Sequence, residues 1–234
     1  MRITAIYSTE RKSKSTTYNL AQTAINELRK DDEVYEFFLP RDMNHFCRGC
    51  FSCFEGHHEK CGGYEQIKPI VDAIDKSELI IFTTPVYAYH VPGQMKAFLD
   101  HFAYRWLVHQ PNGEMTKIQA LIISTAAGAG MKTTVKDIKN SLDFWGVGHF
   151  YKFTKSLWAA HWTELDNSKQ NEMKESILKI CKKIYKNKDK EPRLKVKMMF
   201  YGCRLMHMKM GLNPPDVEHW RKQGWFGKKR PWKS

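Results

Sequence analysis

Blocks of apolar residues with two different periods alternate along this chain. Short runs rich in branched and aromatic apolar residues predict five strands, at 2–7, 33–39, 78–84, 119–125 and 148–156. Apolar residues that recur every three or four positions predict helices at 17–30, 64–77, 92–107, 131–145 and 168–187. The alternation favours an α/β fold with a doubly wound, five-stranded parallel sheet, and this spacing suits the strand order 2-1-3-4-5.

Length and composition indicate one globular domain with an appendage. The chain has 234 residues, 42% of them apolar, which is enough to bury a sizeable core. A lysine-rich linker at 186–197 divides a domain at 1–187 from a C-terminal extension at 188–234. No apolar run is long enough to predict a membrane span, and the N-terminus does not have the pattern of a signal peptide. We therefore expect a cytoplasmic protein whose six cysteines are reduced thiols, metal ligands or redox groups.

Almost all of the excess charge lies in the last 53 residues, which comprise the end of the last predicted helix and the extension. The net charge is +13, and residues 182–234 hold sixteen Lys and Arg against four Asp and Glu. Such a segment either stays solvated or contacts an anionic partner such as nucleic acid, acidic lipid or an acidic protein. No RNP, zinc-knuckle or helix-turn-helix spacing supports nucleic acid as the partner.

In a sheet of this order, ligands bind outside the carboxyl ends of the strands, where the strand order reverses. The loop after the first strand, at 8–16, is rich in hydroxyl groups, contains Arg11 and precedes a helix, whose free N–H groups favour an anion. The absence of GxxxxGK[ST] and GxGxxG favours a terminal monophosphate over a nucleoside polyphosphate or a dinucleotide. The alternative is an ordinary polar turn in which Ser15 or Thr16 only caps the helix.

Two further loops reach the same edge of the predicted sheet. The segment 85–92 places Tyr87 and Tyr89 after Pro85, so that aromatic rings can wall a flat ligand, although Tyr87 can also be a core residue. The segment 125–130, TAAGAG, has small side chains that let a planar group approach the backbone.

These segments resemble the NAD(P)H-dependent FMN reductase branch of the flavodoxin-like proteins, over residues 1 to about 155. The family pattern GSxRxxSxT corresponds to Ser8, Arg11, Ser13, Ser15 and Thr16, and xPVYxxxxxGxMKxFxDR corresponds to the run from Pro85 to Asp100. Tyr7 stands in place of the usual glycine, and His101 in place of the usual arginine.

The resemblance implies a flavodoxin-like fold and non-covalent FMN. It places the phosphate on Ser8, Arg11, Ser13, Ser15 and Thr16, and the isoalloxazine on Pro85, Val86, Tyr87 and Ala88, near Thr125 and Gly128. It also implies an NAD(P)H oxidoreductase that passes hydride through FMN to a small acceptor (a quinone, a nitro compound or flavin) without a catalytic acid or base, in a homodimer or homotetramer. The alternatives are a flavin or iron–sulfur electron carrier served by ferredoxin, and a non-enzymatic adaptor that binds lipid or nucleic acid.

Four cysteines follow the second predicted strand with the spacing C-x2-C-x2-C-x7-C, at Cys47, Cys50, Cys53 and Cys61. Thiolates at such spacing can hold a metal or an iron–sulfur cluster, and His57 and His58 add further candidate ligands. We expect thiols without metal, and an iron–sulfur cluster, zinc or a redox disulfide are the alternatives.

The extension contains a predicted helix at 196–210 with an apolar stripe and cationic flanks, a pattern typical of a helix that lies on a membrane surface. Its methionines and Phe200 suit packing on the body or on a second subunit equally well, and that interpretation is preferred. Trp220, Trp225 and Trp232 lie beside basic residues and can also stack on bases.

Overall fold

A five-stranded parallel sheet forms the centre of the computed structural model, which describes residues 1–211 and 213–233. The strands are β1 (Ile3–Tyr7), β2 (Val34–Phe38), β3 (Leu79–Pro85), β4 (Gln119–Ala126) and β5 (His149–Ser156). Their order is β2-β1-β3-β4-β5, with every pair parallel, as the sequence predicts. The three central strands are almost fully buried because helices cover both faces, which explains their continuous apolar runs.

Eight helices surround or extend the sheet in the described part of the chain. They are α1 (Thr16–Leu28), α2 (Leu39–Asp42), α3 (Tyr64–Lys76), α4 (Gly93–His101), α5 (Met131–Trp145), α6 (Asn167–Lys186), α7 (Leu194–Met210) and α8 (Pro214–Lys222). The predicted helix at 92–107 is too long, because α4 ends at His101 and a single turn of 3-10 helix follows at Ala103–Arg105. This turn accompanies the burial of the Arg105 guanidinium, which pairs with Asp75.

The core has one layer on each face of the sheet. Helices α1 and α6 supply the apolar side chains of one layer, among them Leu20 and Ile177, and α3, α4 and α5 supply the other, among them Phe98. Each fully buried aliphatic or aromatic side chain contributes about 1.5–3 kcal/mol. The two layers therefore fix the sheet firmly and leave its carboxyl edge to carry the loops.

The C-terminal extension folds as a helical pair that packs on the body. Phe200 of α7 stacks on Trp220 of α8, with ring centroids 4.9 Å apart, and both join Trp225 and Leu107 in a small apolar cluster. The Trp220 indole N–H donates to the carbonyl of His109 at 3.0 Å. Because Trp220 and Trp225 are buried, they are not available to stack on bases, and that part of the nucleic-acid alternative is wrong. A separate domain at 188–234 stays a prediction.

Among the described residues, no helix has the length and apolar character that a membrane crossing requires.

Candidate functional site

The three loops predicted to form the site meet at the carboxyl edge of the sheet, which we call the crest. The backbone N–H and the side-chain hydroxyl of Ser8 both donate to the carbonyl of Thr83, at 3.1 and 2.8 Å. Gln94, in the first turn of α4, donates to the carbonyl of Ser8 at 2.6 Å. The N–H of Val86 donates to the carbonyl of Thr125 at 3.1 Å. These bonds hold the ends of β1, β3 and β4 and their loops together.

The N-terminus of α1 provides an anion-binding end at the crest. Ser15 is the N-cap, and its Oγ accepts a hydrogen bond from the N–H of Tyr18 at 3.4 Å. Within the described chain, no group accepts a hydrogen bond from the N–H of Thr16 or of Thr17. The capping alternative is therefore correct for Ser15, while the adjacent free donors and the helix dipole still favour a phosphate.

The side chain of Arg11 extends across the crest to the loop after β5. Its Nη2 donates to the carbonyl of Ala160 at 2.6 Å and lies 2.9 Å from Nδ1 of His161. That loop, 157–166, is a fourth component of the crest, and the sequence reasoning missed it. The available signal was topological, since β5 is parallel to the other strands and must end at the same edge.

The loop after β3 exposes two aromatic rings in a strained turn. Tyr87 and His90 exchange backbone hydrogen bonds at 3.0 and 2.9 Å, which closes the turn. Between them, Ala88 and Tyr89 have φ angles of +47° and +66°, a region that disfavours residues with a Cβ. Tyr87 is 48% exposed and Tyr89 is 64% exposed, so the interpretation of Tyr87 as a core residue is wrong. Strain of this kind is retained mainly at functional sites.

Gly130 lets the loops after β3 and β4 come into contact. Its φ is +96°, and a Cβ at this position would lie 2.6 Å from Cγ1 of Val86 and 3.1 Å from Cα of Tyr89. No other residue fits without displacing one of the two loops.

Trp158 adds an exposed aromatic ring that the sequence reasoning did not identify. It is 85% exposed, has a φ of +49°, and donates its backbone N–H to the carbonyl of Ala127 at 3.1 Å. A Cβ added to Gly128 would lie 3.6 Å from the indole ring of Trp158, so the ring borders the small-residue loop. The crest thus presents flat apolar surfaces from two directions.

Tyr7, which replaces the usual glycine, does not fill the crest. Its ring stacks on Phe38 of the neighbouring strand, with centroids 4.6 Å apart. Its hydroxyl donates to Glu36 at 2.5 Å and accepts from Gln22 at 3.0 Å. Burial, together with the hydrogen bond to Glu36 and its negative charge, raises the pKa of Tyr7, so the phenol stays neutral. The Tyr7 side chain is therefore directed toward β2 and α1 and leaves the crest free.

One buried polar atom close to the crest lacks a partner. The hydroxyl of Ser124, one residue before Thr125, is fully buried and makes no hydrogen bond with the described residues. Such an atom is uncommon in a folded protein, and it leaves one hydroxyl beneath the crest available as a hydrogen-bond donor or acceptor.

The cysteine segment lines a separate cavity of about 710 Å³. Cys47, Cys50, Cys53 and Cys61 all face it, together with His101 at the far end of α4, whose other end is at the crest. No three His, Cys, Asp or Glu side chains in the described ranges are grouped as ligands for a metal ion, and the cysteines form no disulfide. The iron–sulfur alternative stays a prediction.

Cys50 and Cys53 differ in their acidity. Burial and the neighbouring thiols raise the pKa of Cys53 to about 11. Hydrogen bonds from the backbone and side chain of Ser52 lower the pKa of Cys50. Cys61 lies 3.8 Å from Nδ1 of His101, and burial lowers the pKa of this histidine. His101 therefore interacts with the cysteine segment in the position where the usual arginine would stand.

Comparison with known proteins adds one family and several similar folds. The sequence profile of the family described as NADPH-dependent FMN reductase matches residues 1–161. A solved NADH:FMN oxidoreductase (EMOB) is 21% identical, with a TM-score of 0.52 and coverage of 76% of this chain and 87% of that one.

Two further solved structures are more distant in sequence. An azoreductase from Bacillus anthracis is 11% identical, with a TM-score of 0.60 and coverage of 77% and 98%. The NAD(P)H:(acceptor) oxidoreductase FerB from Paracoccus denitrificans is 16% identical, with a TM-score of 0.53 and coverage of 79% and 97%. At these identities the likeness shows the fold alone. No curated protein matches the sequence.

Proposed function

Because the chain belongs to the NADPH-dependent FMN reductase family and is an FMN-dependent NAD(P)H oxidoreductase, we propose that its FMN binds at the crest. One observation carries this proposal. The α1 N-terminus, with the unpaired N–H groups of Thr16 and Thr17, lies at the same edge as the exposed rings of Tyr87 and Trp158. An anion site beside flat apolar surfaces has the two chemistries that a flavin monophosphate requires.

The phosphate is assigned to the first loop. In this assignment the phosphate accepts hydrogen bonds from Arg11, Ser13 and Thr16. Ser15 caps the helix end. Arg11 gives one N–H of its guanidinium to Ala160, which leaves other N–H groups for a phosphate oxygen. Ser8 is fully buried and donates its hydroxyl to Thr83, so its proposed role is to position the loop.

The isoalloxazine is assigned to the loops after β3 and β4. One side of the ring would rest on Pro85, Val86, Tyr87 and Ala88. The small side chains from Thr125 to Gly128 would let the edge of the ring approach backbone groups. Trp158 would shield the ring from water. The bound cofactor supplies the hydride and electron transfer, so the protein's contribution is to bind, orient and shield it.

We propose a small diffusible electron acceptor, such as a quinone, a nitro compound or free flavin. The exposure of Tyr87, Tyr89 and Trp158 leaves the crest accessible to small molecules. The similar structures include an azoreductase and the NAD(P)H:(acceptor) oxidoreductase FerB, and both support this class. We further propose a homodimer or homotetramer in which a second subunit covers part of these rings, in the reducing cytoplasm where the exposed thiols of Cys47 and Cys50 would persist.

The test is a flavin titration followed by reduction. Purified protein is expected to quench FMN fluorescence with a one-to-one endpoint. The yellow absorbance of the bound flavin is expected to bleach when NADPH or NADH is added without oxygen, because the cofactor is the electron carrier. Protein that neither quenches FMN nor retains it on a desalting column would refute the proposal. Bleaching by reduced ferredoxin but by neither nicotinamide would identify the electron-carrier alternative instead.

A further inference from the structure

Helix α7 is apolar on two opposite sides, and only one of them is covered. Its inner side buries Val196 and Phe200, and Phe200 joins the small cluster that contains Leu107, Trp220 and Trp225. Its outer side exposes five apolar residues, which we call the outer stripe: Leu194 at 71%, Met198 at 65%, Tyr201 at 45%, Leu205 at 53% and Met208 at 56%.

The outer stripe follows one line along the helix. Its members are separated alternately by four and three residues from Leu194 to Met208, which places them on one side of the helix over a length of about 21 Å. A helix on the surface of a soluble protein normally shows polar residues on the side away from the core. A continuous exposed apolar surface of this kind marks an interaction site.

The charged side chains of helix α7 itself are all of one sign. Helix α7 contains no Asp or Glu. Arg230 donates to the Tyr201 hydroxyl at 3.0 Å, and its guanidinium lies 5.1 Å from the centre of that ring. Within the described residues, Arg204, Lys209 and Arg230 pair with no carboxylate, whereas Lys195 bonds to Asp143 and Lys197 pairs with Glu191. The C-terminal half of the stripe is thus bordered by cations that are not neutralised.

We propose that the outer stripe binds the surface of a membrane that contains anionic phospholipids, with α7 lying parallel to the membrane plane. The apolar side chains would enter the acyl boundary, and Lys209, Arg230 and the neighbouring lysines would meet the phosphate groups. A second copy of the chain fits less well, because two α7 helices in contact would bring cations together without any acid on either helix.

The position of α7 in the fold is compatible with a working flavin site. The helix begins beside β5 at its amino end, where the N–H of Arg193 donates to the carbonyl of Gly148 at 3.1 Å. That is the edge of the sheet opposite to the crest. Binding through the outer stripe would therefore leave the crest open to a nicotinamide and to an acceptor that dissolves in water or reaches the site from the lipid surface.

The experiment is co-sedimentation of the full-length, FMN-loaded protein with vesicles of phosphatidylcholine, with and without phosphatidylglycerol. We expect binding only to the vesicles that contain phosphatidylglycerol, and weaker binding at high salt. The double variant Met198→Gln, Leu205→Gln should bind to these vesicles at least about tenfold more weakly, because two apolar anchors are lost. The matched control is Tyr185→Gln on α6, which removes an exposed aromatic residue (57% exposed) outside the stripe.

Three results would overturn the proposal. They are a wild-type protein that binds neither kind of vesicle, equal binding to both kinds, and equal binding by the double variant and the control. A concentration-dependent dimer that the double variant abolishes would identify a second copy as the occupant. Should the double variant be unstable, Lys209→Glu leaves the stripe intact, and it must also weaken binding to phosphatidylglycerol vesicles. NADPH oxidation by each variant should equal that of the wild type, which checks folding.

Discussion

Replacement of Arg11 by alanine tests the assignment of the FMN phosphate directly. The guanidinium is exposed, donates to the carbonyl of Ala160 at 2.6 Å, and follows β1 at the edge where the unpaired N–H groups of Thr16 and Thr17 lie. If the guanidinium also binds the phosphate, Arg11→Ala removes a hydrogen bond between oppositely charged groups. Such bonds contribute about 1.5–3 kcal/mol, which corresponds to a roughly 10- to 150-fold rise in the dissociation constant of FMN.

The loss should appear in cofactor affinity and not in folding. The carbonyl of Ala160 lies at the surface and can bond to water when Arg11 is removed, so the free energy of unfolding of the apoprotein should change by less than about 0.5 kcal/mol. Arg11→Lys keeps the charge without the planar fork and should give an intermediate dissociation constant. Lys14→Ala removes an exposed cation from the same loop and controls for general charge.

The assay is fluorescence quenching with FMN and, in parallel, with riboflavin, which has the same ring and no phosphate. Arg11→Ala should weaken FMN by the stated factor and leave riboflavin within about twofold, because only the phosphate contact is removed. An equal loss for both ligands would mean that Arg11 supports the ring through the 157–166 loop. Unchanged FMN affinity would mean that the guanidinium stays on Ala160 and the helix end holds the phosphate alone.

Three further substitutions test other parts of the structure. Ser15→Ala removes the cap of α1 and should lower the free energy of unfolding by about 1 kcal/mol in urea, together with FMN affinity; an unchanged urea midpoint would contradict the capping role. Gly130→Ala places a Cβ 2.6 Å from Cγ1 of Val86, so FMN affinity, measured by fluorescence quenching, should fall at least about tenfold. Wild-type affinity in this variant would mean that the loops after β3 and β4 can move relative to each other. Asp143 is almost fully buried; although burial opposes its charge, hydrogen bonds from its cationic partners, among them Lys195, keep its pKa below the usual value of 3.8. Its contribution to the free energy of unfolding is therefore complete above about pH 4 and is lost as pH falls through the lower folded pKa. Asp143→Asn should lower the urea midpoint at neutral pH and reduce the further loss of stability in acid. An identical pH profile for the variant and the wild type would refute the ion pairs.

The strands and their order were predictable because of how this sheet is covered. A parallel strand buried on both faces must be apolar along its whole length, and β3 and β4 carry that signature without interruption. The position of the three loops then follows from topology alone. The hydroxyl-rich loop could be placed at a helix end because the helical spacing of apolar residues begins directly after it.

The features that escaped prediction depend on contacts between residues far apart in the sequence. Arg11 and Ala160 meet across 149 positions, and nothing in the residues around Trp158 marks it as a component of the crest. The early end of α4 accompanies the pairing of Arg105 with Asp75, a buried contact that helical periodicity does not reveal. The helix α7 was predicted with a single apolar stripe, but its residues divide into a buried side and an exposed side, which only packing can distinguish.

Helix α5 connects the two edges of the sheet. It is therefore the element through which FMN binding at the crest and vesicle binding at the outer stripe could affect each other. It begins after Gly130 at the crest and, thirteen positions later, reaches Asp143, which pairs with Arg193 and Lys195 at the start of α7. Thirteen helical residues span about 20 Å. Substitutions separated by more than about 7–10 Å without a shared partner are usually additive. Crest variants should therefore change FMN affinity without changing vesicle binding, and outer-stripe variants should do the reverse. Coupling between the two readouts would mean that α5 shifts as a unit when either edge is occupied.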